Sequence, residues 1–343
     1  MQALLTRPGE AHSTHVEDVS EPTGDGVLVR VLEVGVCGTD REISEGLFGA
    51  PPEGRDLLVL GHEMLGVIEQ DGDGFTAGDL VTSIVRRSCG HCVACAENAP
   101  DSCLTGDYVE RGITRLDGFA RERLREDPRQ LIGIPASLGR LGVLAEPASV
   151  CARALRHAHD IGGRQPWQLE TALVIGGGAV GTLMTLLLRL DGIAVTVASL
   201  ERANDRISAL GARYACSDGI NLRELGQFDL VVEAAGDAQL MADTLGLLRR
   251  NGVACLLGID GRAQRVSVDG PTLGVDMLLG NRVLFGSVNA QRRDWLAAVD
   301  ALDRAQDKWR DVLESFISLR VPLDRFAEAF AHKGGKATLV LEQ

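Results

Sequence analysis

The chain has 343 residues, 45% of them hydrophobic, which suits a globular protein with a core large enough for roughly two domains. Its net charge of −13 and isoelectric point near 5.0 argue against a nucleic-acid partner or an anionic membrane surface. The longest apolar runs, such as 183–188, fall short of a membrane span, and residues 1–8 hold too short an apolar stretch for a signal peptide. The expectation is a cytoplasmic protein.

Residues 1 to 150 read as β-rich. Val27 to Val34 mixes β-branched residues with partial alternation, Asp79 to Val85 forms a second strand, and Gly, Pro and Asp turn signals recur between them. The first stretch with chemical content is Cys37-Gly38-Thr39-Asp40. The second is Gly61-His62-Glu63, between two apolar runs, and Glu146 follows in Leu144-Ala145-Glu146-Pro147. A thiolate, an imidazole and carboxylates are ordinary zinc ligands, and a catalytic zinc keeps one position open. Cys37, His62, Glu63 and Glu146 are therefore candidate ligands of one ion.

Four of the eight cysteines lie close together, as Cys89-x2-Cys92-x2-Cys95-x7-Cys103. A secreted disulfide framework would scatter them, so the grouping favours metal in a reducing compartment. Four thiolates at this spacing close a tetrahedron and leave no open position, so this zinc is structural.

After residue 143 the turn residues thin out. Val143 to Ala158 reads as helix, Asp160 to Trp167 as a loop, and Thr171 to Ile175 as a short, wholly apolar strand. Further strands are read at Ala194–Ala198, Phe228–Glu233 and Val253–Gly258, with helical stretches between, and a helix around Trp295 to Leu302. Continuous apolar strands alternating with helices predict a parallel sheet covered on both faces. The last strand, Ala337 to Leu341, is expected to return to the first domain.

Between the first of these strands and the next helix stands Gly176-Gly177-Gly178-Ala179-Val180-Gly181. Strand, Gly-x-Gly-x-x-Gly, helix is the setting of a dinucleotide-binding turn. The first glycine makes the turn, the second admits a pyrophosphate, and the third lets helix and strand pack closely. After the second strand the sequence is Ala198-Ser199-Leu200-Glu201-Arg202. Ser199 stands where an NAD binder places an acid, and Arg202 could meet the 2′-phosphate of NADP, while Glu201 could accept from a bare ribose. The reading leans to NADP and leaves NAD open.

Taken together, Cys37-Gly-Thr-Asp40, Gly61-His-Glu63, the four-cysteine lobe and the Gly176 turn resemble the zinc-dependent medium-chain alcohol dehydrogenases. Asp107 to Ile113, Leu144 to Pro147, Arg164 to Trp167 and Gly280 to Asn289 narrow the resemblance to the archaeal-type glucose dehydrogenases. The resemblance implies an α/β chain with an irregular, β-rich GroES-like catalytic domain (1–155, with the structural-zinc lobe at 89–103). A doubly wound Rossmann domain (156–287) follows, and 288–343 returns to the first. It implies two zinc ions per chain, a catalytic one on Cys37, His62 and Glu63, with Glu146 as a further ligand directly or through water. It further implies that Thr39 bonds the reacting hydroxyl, that Glu110, Glu146 and Asn289 hold sugar hydroxyls, and that Glu63 or Glu146 carries the proton out. Asn289 is also expected near the cofactor, with Gly176, Gly178, Ala179, Val180, Gly181, Ser199 and Arg202. The implied reaction is oxidation of an aldose at C1 to the lactone, with hydride passing to NADP or NAD, in a homodimer or homotetramer.

Two positions depart from the resemblance. Asp294 stands where glucose dehydrogenases of this type usually carry histidine, and Leu200-Glu201 where they often carry two arginines. The first leaves a polyol or secondary-alcohol dehydrogenase as the alternative, and the second weighs against NADP. A non-catalytic nucleotide-binding protein is the remaining alternative, and the intact Cys37, His62, Glu63 and Glu146 argue against it.

Overall fold

The computed structural model describes residues 1–259 and 265–341. The chain divides into two units. The first comprises Met1–Ser149, Asn289–Gln306 and Leu313–Gln343, and the second Val150–Val288 with Asp307–Val312.

The first unit is organised on the strand Val27–Val36. Its first half alternates buried and half-buried residues, while its last four residues are buried throughout. It pairs antiparallel with Glu63–Ile68 on one side and with Lys336–Val340 on the other, and Arg123–Glu126 pairs with its first half. Cys37 follows directly at the end of this strand, so the strand delivers the first candidate ligand. The second arrives on the neighbouring strand, in register: Gly35 lies opposite Glu63.

Backbone packing fixes the approach to His62. Residues 118–120 donate in succession to the carbonyls of Val59, Gly61 and Leu60 at 2.7–2.9 Å. A Cβ on Gly118 would run into the carbonyl oxygens of Leu60 and Gly61. Only glycine permits this close crossing of two chain segments.

A short hairpin, Arg86–Arg87 against Val109–Arg111, stands beside the four-cysteine lobe in the sequence. Successive side chains on a strand point to opposite faces. Arg87 and Arg111 thus both reach Glu126, at 2.8 and 3.1 Å, and Ser83 adds a bond to the same carboxylate at 2.9 Å. Burial opposes ionisation of Glu126, but the two guanidinium groups outweigh it and hold the carboxyl below its ordinary range.

The second unit is a six-stranded sheet. In spatial order its strands are Arg213–Cys216, Ala194–Ser199, Thr171–Ile175, Phe228–Glu233, Leu248–Leu256 and Val283–Gly286, all parallel. Numbered along the chain this is the order 3-2-1-4-5-6 of a doubly wound dinucleotide fold, whose direction reverses between strands 1 and 4. Leu173, Ile175, Val231, Phe228 and Ala254 share one core, as the uninterrupted apolar runs require.

Several elements exceed their sequence bounds. The helix Ala145–Gly162 runs into the stretch read as loop, because Gly162 leaves room for the Trp167 ring to pack against its last turn. The helix expected around Trp295 to Leu302 extends over Arg292–Phe316, with a kink at Trp309. The strand Arg213–Cys216 escaped the reading: it is short and lacks a continuous apolar run.

Glu126 generates a prediction. A carboxyl whose folded pKa lies below its unfolded value stabilises the fold fully above the ordinary value of 4.5, and that stabilisation is lost as pH falls through the folded value. Glu126→Gln leaves two buried guanidinium groups without their partner, at an expected cost of about 3–5 kcal/mol near neutral pH. It should also flatten the acid limb of stability against pH. Denaturant melts of both proteins between pH 3 and 7 check this; parallel acid limbs would show that Glu126 does not carry the effect.

Candidate catalytic metal site and cofactor turn

Cys37 caps the helix Gly38–Ser44. Its sulfur accepts from the Thr39 amide at 3.2 Å, and the Asp40 carboxylate returns the bond to the Cys37 amide at 2.9 Å, a closed capping box. The cap also aims the sulfur: Cys37 Sγ stands 3.1 Å from His62 Nε2. On the far side of the ring Asp40 Oδ1 lies 3.2 Å from His62 Nδ1, in ion-pair range though off the line of a well-formed hydrogen bond. A carboxylate behind the imidazole fixes which nitrogen faces forward, as in many metal sites.

Glu63 is wholly buried. Its Oε1 accepts from Lys336 Nζ at 2.5 Å, while Oε2 is sealed and has no hydrogen-bond partner among the described residues. Its carboxylate occupies the space a side chain on Gly35 would need. Glu146 sits in the first turn of the helix Ala145–Gly162. Ligand atoms of Cys37, Asp40 and His62 lie within 4.8 Å of one another, and so do those of His62, Glu63 and Glu146. His62 is common to both groups, so all four sequence candidates converge on one imidazole.

The protonation balance tests whether a cation suits these residues. Burial alone would lower His62, but Asp40 and Cys37 outweigh it and raise its pKa well above the ordinary value. Burial pushes the Glu146 carboxyl up to about 7, with Glu63 and Asp40 adding repulsion and His62 and Lys336 opposing it. The protein's own groups thus take up protons to offset crowded anions. A divalent cation would invert that balance, holding Glu146 ionised and the imidazole neutral. Softness points the same way, since thiolate, imidazole and carboxylate together suit zinc. The donor set fits the ion.

The four-cysteine group passes its own test. The sulfurs of Cys89, Cys92, Cys95 and Cys103 lie within 4.8 Å of one another, and all four are free thiols. Zinc–sulfur bonds of about 2.3 Å in a tetrahedron set sulfurs about 3.8 Å apart; Cys92 and Cys103 are 3.9 Å apart. Backbone amides aim at the sulfurs. The His91 amide above all, then the Thr105 hydroxyl and the Cys92 amide, pull Cys89 down to about 5.

In the second unit the glycine turn leaves the end of Thr171–Ile175, at the reversal of strand order. Gly176 has φ +109°, a conformation side chains rarely adopt, and a Cβ on Gly181 would run into the Gly176 carbonyl oxygen. Among the described residues nothing lies within 4 Å of where a Gly178 Cβ would stand, at the start of the helix Ala179–Leu190. A pyrophosphate suits such a helix N-terminus. Asn204 Nδ2 donates to the Gly177 carbonyl at 3.2 Å and ties the turn to the segment after the second strand. Nearby, Tyr214 donates to the Glu201 carbonyl at 2.8 Å, Ser199 is half-buried, and Arg202 is exposed with no ion pair among the described residues.

The remaining expected site residues are placed as follows. The Thr39 hydroxyl makes no hydrogen bond among the described residues. Glu110 accepts from Arg86 Nε at 2.9 Å and from Asn289 Nδ2 at 2.8 Å, which brings the two expected sugar contacts together. Asp294, the departure, is buried, and its Oδ2 accepts from the Gln291 amide at 2.9 Å, closing the start of the helix Arg292–Phe316. Sequence reasoning missed Lys336. It is one of only three lysines in the chain, and that rarity was the one available signal.

A buried zinc donor set in a β-rich unit and a six-stranded nucleotide sheet define a metal-assisted, nicotinamide-dependent dehydrogenase. Comparison with known proteins agrees. Residues 23–136 match the alcohol dehydrogenase GroES-like domain, and residues 139–342 match the glucose dehydrogenase C-terminus. A glucose 1-dehydrogenase of Methanocella arvoryzae is 37% identical, over 98% of this chain and 97% of its own. One of Thermoproteus tenax is 36% identical, over 100% and 99%. Among solved structures, Haloferax mediterranei glucose dehydrogenase in complex with NADP, zinc and gluconolactone superposes with a TM-score of 0.90, 30% identity and complete coverage of both chains. A Thermotoga maritima alcohol dehydrogenase, at 19% identity and a TM-score of 0.85 over 99% of both chains, shares the fold. The chain belongs to the zinc-dependent medium-chain alcohol dehydrogenase superfamily, and within it to the glucose dehydrogenase family.

Proposed function

We propose that the chain oxidises the C1 hydroxyl of a glucose-like aldose to the lactone and passes the hydride to NADP, with NAD as the second acceptor. The observation that carries the reading is the convergence of Cys37, Glu63 and Glu146 on His62, with the sealed Glu63 Oε2 lacking a partner among the described residues. The gluconolactone and NADP of the Haloferax complex and the naming of the relatives support the substrate class and the acceptor.

In the reaction C1 loses a hydride and its hydroxyl a proton, a lactone carbonyl forms, and the nicotinamide is reduced. Cys37, His62 and Glu63, with Glu146, would hold one zinc, and Cys89, Cys92, Cys95 and Cys103 the other, two per chain. Bound zinc lowers the pKa of a hydroxyl and stabilises negative charge on its oxygen. Thr39 orients the reacting hydroxyl through its unpaired Oγ1. Glu146, ionised beside the cation, would pass the hydroxyl proton toward solvent, while Glu63 has one oxygen bound to Lys336. Glu110 and Asn289 hold sugar hydroxyls. The turn Gly176 to Gly181, with Gly178, Ala179 and Val180 at the helix start, seats the pyrophosphate. Ser199 and the unpaired Arg202 face the adenosine ribose and favour its 2′-phosphate.

A polyol or secondary alcohol is the second reading, because Asp294 is committed to its helix and offers no histidine-like contact to a sugar. Free cysteines support a reducing compartment such as the cytoplasm. A homo-oligomer is supported by the edge strand Val283–Gly286, unpaired on one side among the described residues, beside exposed Leu278, Leu279 and Val275.

Three measurements test these statements. Cys37→Ala should lose one of two zinc ions per chain, keep its melting temperature within a few degrees, and lose at least about 10³-fold in kcat/KM; full activity in that variant ends the reading. Initial rates with glucose, galactose, xylose and a polyol panel, each with both nicotinamides, should favour an aldose with NADP. A polyol preference selects the second reading. Light scattering should find a dimer or tetramer, and a strict monomer removes the edge-strand assignment.

A further inference from the structure

The face of the hairpin opposite Glu126 carries Arg86 and Glu110, directly across from each other in register. Arg86 is held at three points. Nε donates to Glu110 Oε1 at 2.9 Å, Nη1 donates to the Asp101 carbonyl at 3.1 Å, and the guanidinium lies 3.8 Å over the Tyr108 ring. Asp101 and Tyr108 flank Cys103, so two of these holds come from the end of the four-cysteine lobe. The third, Glu110, is buried and also receives Asn289 Nδ2 on the same oxygen. Asn289 is itself fixed, with a left-handed φ of 63° and its Oδ1 accepting from the Ala290 amide at 2.8 Å.

The two oxygens of Glu110 are therefore unlike. Oε1 takes two charge-assisted or amide donors. Oε2 has no hydrogen bond among the described residues, yet it is not one of the sealed, unpartnered atoms of the interior. A carboxylate offers about four acceptor sites, and those left free lie on Oε2. We propose that Arg86 is a positioning residue for sugar recognition: clamped by the lobe, it locks one oxygen of Glu110 and presents the other to a substrate hydroxyl. The proposal rests on the reading of Glu110 as a sugar contact. It gives the four-cysteine lobe a part in substrate affinity as well as in folding.

Four variants test it in the zinc-loaded enzyme with glucose and NADP: Glu110→Gln, Arg86→Gln, Arg86→Lys and the double Arg86→Gln/Glu110→Gln. Loss of a charge-assisted bond that holds a substrate-binding group should raise KM for glucose roughly tenfold or more in Arg86→Gln, with kcat within about threefold. Zinc content and NADPH affinity by fluorescence should not change. Arg86→Lys, which keeps the charge and loses the fork, should show a smaller rise. In the Glu110→Gln background, Arg86→Gln should add less than about twofold, since an intermediary acts only through its target. A KM rise in Glu110→Gln with none in either Arg86 variant overturns the proposal and leaves the Glu110 reading standing. No KM rise in Glu110→Gln removes the reading itself. If Arg86→Gln does not fold, Arg86→Lys decides: raised KM at a native melting temperature supports the clamp, and unchanged KM overturns it. A parallel fall in zinc content and kcat marks a merely structural role and also overturns it.

Discussion

The first unit is arranged around a crowd of carboxyl and thiol groups, two of them buried and two half-buried. Cys37, Asp40, Glu63 and Glu146 all gather near His62, and among the described residues the one ammonium paired with them is that of Lys336. Such crowding is costly in a protein interior unless something positive answers it. Lys336 answers part of it by binding one oxygen of Glu63, and a zinc ion suits the remainder. The fold supplies the rigidity that keeps these donor groups from relaxing apart. Cys37 is held by a capping box, Glu63 by its register opposite Gly35, and His62 by the glycine crossing at Gly118.

The same logic of divided carboxylates recurs on the hairpin beside the four-cysteine lobe. Strand alternation sends Arg87 and Arg111 to Glu126 and sends Arg86 to Glu110. One face ties the hairpin to the main sheet, where the ion pairs stabilise the fold. The other face meets Asn289, on the segment that returns from the nucleotide sheet. A single two-stranded element thus sends its arginines to two different carboxylates by period alone. Glu63 and Glu110 are alike in this respect. Each has one oxygen engaged by a basic side chain and one without a partner among the described residues.

The sequence displayed the ligands more clearly than their supports. Cys89, Cys92, Cys95 and Cys103 stand within fifteen residues, and the glycine turn is a local pattern set between a strand and a helix. Both are legible because their geometry is short-range. Lys336 meets Glu63 across 273 residues and Asn289 meets Glu110 across 179, and nothing local marks either partnership. Arg86 was invisible for a different reason. In a chain with 32 arginines it was one of many, and Arg111, not Arg86, adjoins Glu110 in the sequence. Only the alternation of the two strands assigns Arg86 to Glu110 and Arg111 to Glu126. The parallel sheet was read from its continuous apolar strands, while Arg213–Cys216, an edge strand with one exposed and three half-buried residues, carried no such signal.

The two departures from the glucose dehydrogenase pattern separate once their surroundings are known. Asp294 changes the chemistry of a helix start: its carboxylate satisfies the Gln291 amide and is buried with it, so the residue contributes order where a histidine would contribute a ring nitrogen. If Glu110 is the sugar contact proposed above, the loss of a histidine at 294 makes its rigidity matter correspondingly more. Leu200 and Glu201, in contrast, lie on an exposed bend whose backbone Tyr214 holds through the Glu201 carbonyl. That bond acts on the main chain and leaves both side chains and the neighbouring Arg202 free to face a ligand. With the cofactor seated as proposed, Glu201 would oppose a 2′-phosphate and Arg202 attract it, from adjacent exposed positions where charge effects are screened and small. The balance between the two nicotinamides should therefore be narrow and sensitive to salt, with higher ionic strength eroding whichever preference the pair sets.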